Sequence, residues 1–201
     1  MPSQVIPFSQ ATPAHDAPMR PHEKLLKLSR ALEILFAALI AVSLLWIFAA
    51  AVATVFFSNH LLIGPTGAWF FTGRPPAIPG GVLYSSQPPL TRLAGMIDIV
   101  TATVPLILVC RHLRELFRLY ARGTVFAREN AVHLKRAGLW LVVYPFAKVA
   151  ANIIFRLAGG ADKVWFHMEL VYALVLGLIV FAIALVMEFG REIEQEKDSF
   201  I

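Results

Sequence analysis

Charged side chains are scarce in this sequence of 201 residues, and cysteine is almost absent. Only 15% of the residues are charged, against about 25% in an ordinary soluble domain, whereas 58% are hydrophobic. A folded core of this size cannot hide so much apolar surface from water, so an ordinary soluble domain is excluded. The single cysteine, Cys110, excludes an internal disulfide and a cysteine-based metal cluster.

The excess of apolar residues lies in four long runs. A helix needs about 20 apolar residues to cross a bilayer, and the runs that approach this length are residues 34–57, 93–110, 139–155 and 170–187. They predict an all-α fold, an integral membrane four-helix bundle formed by residues 23–190. The proline-rich residues 1–22 are predicted to be a disordered tail, and residues 191–201 an acidic tail.

The connecting segments differ in composition. Residues 58–92 are rich in glycine and proline and could not satisfy their backbone hydrogen bonds inside lipid, which predicts an outer loop. Residues 111–136 form a basic loop. The basic loop and the two termini contain thirteen Lys and Arg residues, against four in the outer loops. Because cytoplasmic segments collect Lys and Arg, we predict that both termini lie in the cytoplasm, the N-in/C-in topology.

Four arginines in the basic loop recur at helical spacing: Arg111, Arg114, Arg118 and Arg122. On a helix that continues the second span they fall within about 80° of one another and form one arginine stripe. We expect this stripe to contact the anionic headgroups of the lipid bilayer, at about 1 kcal/mol per basic residue. The alternative is that it docks an acidic partner or the acidic tail of the same chain. Gly123 is predicted to end this helix.

Two ionisable residues lie within the predicted spans. Asp98 is about 7–10 Å and Lys148 about 10–14 Å below the outer ends of their spans, at 1.5 Å per residue. Charged groups inside a membrane are costly and are usually paired or functional. We therefore predict a buried Asp98–Lys148 pair, with Asn152 one helical turn from Lys148. The alternative is that Lys148 extends its ammonium group to water.

Motifs for catalysis, cofactors and metals do not occur in the sequence. It has no HExxH, P-loop, glycine-rich dinucleotide loop or Ser/His/Asp arrangement. No histidine lies a full turn inside a predicted span, where a buried haem ligand would be expected. The net charge of +5 follows from the cytoplasmic segments rather than from nucleic-acid binding. We predict a non-enzymatic protein with no catalytic residue, cofactor, metal site or direct nucleic-acid contact.

The basic loop carries the most specific motif. Residues 116–126 read LFRLYARGTVF, and Arg128-Glu129-Asn130 follow. This sequence resembles the central loop of a widespread bacterial family of four-span membrane proteins of unknown function, which reads approximately LFRLYxxGxVFtxEN. The likeness covers about residues 25–201. Ala127 stands where the family usually has Ser or Thr, and Ser199-Phe200 stand where it has Leu-Thr.

The resemblance implies a function but no established activity. Some members of that family are encoded beside small helix-turn-helix regulators, which implies a multi-pass inner-membrane protein that interacts with a cytoplasmic regulatory protein. The alternative hypothesis is a small transporter or permease-like protein that uses the polar residues Asp98 and Lys148.

Overall fold

The computed structural model describes residues 21–64, 67–124, 127–160 and 168–199. These residues contain four long helices: α1 (Pro21–Phe56), α2 (Pro89–Ala121), α3 (Arg128–Leu157) and α4 (Met168–Ser199). Each helix contains one of the predicted spans, apart from Phe57, which follows the end of α1. Each is long and apolar enough to cross a membrane. The prediction of an all-α membrane protein with four helical spans is confirmed.

The helices extend beyond the predicted spans. Helix α1 begins at Pro21, a residue suited to the first turn of a helix because its missing N–H would have no partner there. Only the last two residues of the predicted disordered tail belong to the described part of the chain, and they are helical. Residues 191–199, predicted as a separate acidic tail, continue α4 to Ser199. Their Glu, Gln and Lys residues favour a helix, which explains the continuation.

The helices pack in the order of the chain: α1 on α2, α2 on α3, and α3 on α4. The backbones of α3 and α4 approach each other closely at two glycines. A Cβ atom on Gly177 would lie 2.9 Å from the Cβ of Leu141, and one on Gly138 would lie 2.8 Å from the backbone nitrogen of Phe181. Small residues permit such close contact between membrane helices. Helix α1 lies at the end of the row, and its large apolar side chains remain exposed, as expected for contact with lipid.

A small antiparallel sheet occupies the predicted outer loop, which the sequence analysis did not anticipate. Strand β1 (Leu61–Gly64) lies between β2 (Gly67–Phe70) and β3 (Val82–Leu83). Leu62 pairs with both neighbouring strands and is 5% exposed. The strands contain at most four residues each, too few for their periodicity to stand out among the glycines and prolines.

Two hydroxyl groups form hydrogen bonds that connect the outer loop to the start of α2, and α2 to the end of α3. The phenol of Tyr84 donates a hydrogen bond of 2.8 Å to the carbonyl of Arg92 near the start of α2. A phenol is protonated at neutral pH, and burial raises the pKa of Tyr84 further, so its hydroxyl can act as the donor. The fully buried Thr91 hydroxyl donates to the carbonyl of Ala158, which follows α3. The outer ends of α2 and α3 are therefore joined directly.

Candidate functional site

An ion pair joins α2 to α3 within the apolar part of the molecule. Nζ of Lys148 lies 2.8 Å from Oδ1 and 2.7 Å from Oδ2 of Asp98, so the ammonium group donates to both carboxylate oxygens. The side chain of Lys148 is 19% exposed and that of Asp98 is 23% exposed. Each charge is thus compensated where a membrane-embedded charge would otherwise carry a large solvation penalty.

Asn152 lies one turn beyond Lys148 on α3 and is 9% exposed. No hydrogen bond joins it to Asp98 or Lys148 among the residues that the structure describes. The structure therefore brings Asp98 and Lys148 together, and the Asn152 amide is a separate buried group on α3.

The described residues of the basic loop, 111–124 and 127–136, form a helical hairpin from the ends of α2 and α3. The N–H of Thr124 donates to the carbonyl of Leu119 at 3.1 Å, and the N–H of Gly123 donates to that of Tyr120 at 3.0 Å. These two bonds form a Schellman motif, which requires a left-handed residue after the helix. Gly123 has a φ of +82°, so it ends α2 in the manner that its position in the sequence predicts.

The hairpin is closed by a buried amide and a pair of histidines. Asn130 is fully buried, and its side-chain amide donates to the carbonyl of Thr124 at 2.8 Å, which fixes the turn against α3. Below the turn, the Nδ1 atoms of His112 and His133 lie 3.4 Å apart across the two helices. Sequence reasoning assigned no role to Asn130, because its partner is a backbone carbonyl that only the folded turn brings within reach.

A cavity of about 450 Å³ lies between α1 and α2 at the hairpin end of the molecule. We call it the arginine groove. Three residues of the arginine stripe line it, whereas Arg111 does not. Helix α1 adds basic, acidic and apolar side chains at positions that share one helical face. The groove is lined by Arg30, Glu33, Ile34, Ala37, Arg114, Arg118, Ala121 and Arg122.

The arginine groove is strongly cationic. Four guanidinium groups line it together with one carboxylate, that of Glu33. Arg118 is paired with Glu115 at 3.5 Å. Within the described part of the chain, the side chains of Arg30, Arg114 and Arg122 have no hydrogen bond or ion pair. The Nε atom of Arg114 is buried without an acceptor, so the groove contains unused donors as well as excess positive charge.

Glu188, which precedes the predicted acidic tail on α4, contacts α3. The side chains of that tail lie outside the described residues, so its docking on the arginine stripe stays a prediction. Glu188 accepts a hydrogen bond of 3.3 Å from Nζ of Lys135, whose ammonium group also lies 5.9 Å from the ring centroid of Phe181. Three stripe residues, Arg114, Arg118 and Arg122, share the groove with α1. Beside them Phe36 of α1 stacks on Phe117 of α2, with ring centroids 5.7 Å apart. Sequence reasoning missed the contribution of Arg30 and Glu33, since their proximity to the stripe depends on how α1 packs against α2.

These helices define a multi-pass integral membrane protein. Residues 77–201 match the family described as Protein of unknown function (DUF2975), which is more than half of the chain, so the protein belongs to that family. The expected family membership is thereby confirmed, over residues 77–201 rather than from about residue 25. No curated protein and no solved structure matches the chain.

Proposed function

We propose that the protein is a non-enzymatic regulatory protein of the bacterial inner membrane that binds a soluble cytoplasmic protein through its hairpin. The observation that supports this proposal is the ordered hairpin beyond the spans. Its two helical arms extend about 16 Å past the ends of the second and third spans, at 1.5 Å per residue. The Schellman motif at Gly123 fixes the end of α2, and the bond from Asn130 to the carbonyl of Thr124 joins that end to α3. A preformed surface loses less conformational entropy on binding than a flexible loop would.

The charge of the hairpin indicates the chemistry of the partner. The segment contains seven Lys and Arg residues and two Glu residues, and Arg128 and Arg136 on α3 are exposed. Such a surface favours a partner with an acidic face, both in the rate of association and in specificity. The family resemblance makes a small helix-turn-helix regulator the partner to test first. In this arrangement the acidic face of the regulator, rather than its DNA-binding face, would contact the hairpin. The regulator would thereby be held at the bilayer.

Affinity capture of the full chain in mild detergent, followed by titration of the purified partner, tests this proposal. The titration uses the full chain in nanodiscs and compares the native sequence with the double variant Arg128→Glu/Arg136→Glu. We expect the double variant to bind at least about tenfold more weakly, because each reversal replaces attraction to the acidic face with repulsion. The affinity of the native chain should also fall as the salt concentration rises.

The control is Arg74→Glu, which reverses one exposed arginine on the opposite side of the molecule. It should leave the affinity unchanged. Equal weakening by the control and the hairpin variant, or binding that is independent of both, would mean that the hairpin does not dock the partner.

A small transporter is the second candidate, and the Asp98–Lys148 pair is the observation that favours it. Ionisable groups within spans often mark ion or proton pathways. The test is proton flux into liposomes that contain the full chain, with a pH-sensitive dye inside. A transporter should lose its flux on Asp98→Asn, whereas an absence of flux from the native chain would remove this candidate.

A further inference from the structure

The arginine groove lies where α1 passes from the cytoplasmic side into the predicted span. Arg30 precedes the span, whereas Ile34 and Ala37 belong to its first turn. The lining of the groove thus changes from charged to apolar at the level where a bilayer changes from headgroup to hydrocarbon. Ile34 is 69% exposed and its neighbour Leu35 is 49% exposed, so an apolar surface continues from the groove along α1.

We propose that the arginine groove binds the phosphate of an anionic phospholipid headgroup, whose acyl chains lie along the exposed apolar surface of α1. The two arginines whose reversal tests protein docking, Arg128 and Arg136, lie on α3 and do not line the groove, so lipid binding and protein docking can fail separately. Among the described residues, only two carboxylates, Glu33 in the lining and Glu115 beside Arg118, balance the four guanidinium groups of the groove. The remaining positive charges repel one another, and a bound anion would relieve this repulsion. A phosphate accepts several hydrogen bonds at once and matches the planar, forked donors of arginine.

The unused donors of the groove support a bound phosphate rather than a diffuse field of positive charge. Arg30 and Arg114 come from different helices and converge on the same cavity, and neither has a side-chain partner among the described residues. Arg114 also has its Nε atom buried without an acceptor. Arg111 belongs to the same stripe but lies outside the groove, so it should contribute only to the general attraction between basic residues and an anionic surface.

The apolar part of the lining distinguishes a lipid from a free anion. A soluble phosphate would use the arginines and leave Ile34 and Ala37 in contact with water or with unrelated lipid. A phospholipid uses both parts at once, because its headgroup and its chains are joined. The apolar lining therefore favours a lipid over a free anion, and the arginines favour a headgroup with a negative charge.

The test counts lipids bound to the full chain by native mass spectrometry after titration with phosphatidylglycerol or phosphatidylcholine. We expect one phosphatidylglycerol to remain bound per chain under conditions that remove phosphatidylcholine. The variant Arg30→Gln/Arg114→Gln should weaken this binding by about 100-fold or more, from about tenfold for each charge-assisted hydrogen bond to the phosphate that is lost. The matched control Arg111→Gln/Arg128→Gln removes the same charge at the same end of the molecule, outside the groove. It should change the binding less than about threefold, because in detergent no anionic bilayer surface is present to attract basic residues in general.

Three results would overturn the proposal. Equal losses from the groove and control variants would show a general surface attraction, and equal retention of the two lipids would show that charge is not recognised. Displacement of phosphatidylglycerol by millimolar inorganic phosphate would make a free anion the ligand.

If the double variant does not accumulate, Arg114→Lys provides the test, since it keeps the charge but loses the forked donors. It should elute like the native chain and retain severalfold less lipid, and unchanged retention would contradict the proposal.

Discussion

Breaking the Asp98–Lys148 pair tests the most consequential contact within the spans. Asp98→Asn leaves the ammonium group without its carboxylate, and Lys148→Met leaves the carboxylate without its ammonium group. The two side chains are only 23% and 19% exposed. An unpaired charge within the bilayer costs about 2.5–3.5 kcal/mol on the lenient insertion scale, so we expect each single change to destabilise by about 2–3 kcal/mol. The double variant leaves no charge and should cost about 1 kcal/mol or less.

The free energy of unfolding can be measured by titration with sodium dodecyl sulfate in mixed micelles, for the native chain and the three variants. The double-mutant cycle should give a coupling energy of about 2 kcal/mol or more. The matched control is the exposed pair Arg118–Glu115, with side chains 45% and 36% exposed and a separation of 3.5 Å. Neutralising that pair should give a coupling energy below about 0.5 kcal/mol. A cycle at Asp98 and Lys148 that is additive within about 0.5 kcal/mol would refute the reasoning.

Three further changes test the packing and the turns. Gly177→Ala should destabilise the protein by about 1–3 kcal/mol because the new Cβ meets α3. The control Gly190→Ala places a Cβ with no heavy atom within 4 Å and should be neutral or stabilising. Equal free energies of unfolding for the two variants would contradict this packing. Gly123→Ala places a Cβ at a φ of +82°, which should lower the free energy of unfolding by about 1–2 kcal/mol. Hydrogen exchange of the amides at the end of α2 should become faster. Unchanged exchange would contradict the left-handed turn at this position. Tyr84→Phe removes the hydroxyl that donates to the Arg92 carbonyl, which should lower the free energy of unfolding by about 1 kcal/mol. Proteolysis of the outer loop should become faster. An unaltered rate would show that this hydrogen bond does not hold the outer loop in place.

The spans could be predicted from the sequence because a bilayer imposes a simple length requirement on apolar runs. The end of α2 at Gly123 could also be predicted, since glycine adopts the left-handed conformation that closes a helix at little cost. The depths of Asp98 and Lys148 follow from the helical rise alone, and the structure places these two residues in contact. Each of these inferences uses local geometry within one or two helices.

The features that escaped prediction depend on contacts between distant segments. The three strands of the outer sheet are too short to show alternation, and their backbone pairing becomes visible only in the fold. The close approach at Gly138 and Gly177 depends on how α3 and α4 cross, which the sequence of either helix does not specify. The arginine groove requires α1 to bring Arg30 beside α2, which the spacing of the arginine stripe could not indicate.

The orientation in the membrane is the claim on which the functional account depends, and cysteine accessibility tests it directly. Single cysteines are introduced by Ser86→Cys or Ser199→Cys in a chain that carries Cys110→Ser, and intact cells are treated with a membrane-impermeant maleimide. Ser86 is exposed in the outer segment, and Ser199 ends α4. We expect labelling at position 86 and protection at position 199 until the membrane is permeabilised. Labelling at position 199 with protection at position 86 would place the hairpin and the arginine groove outside the cell and contradict the account.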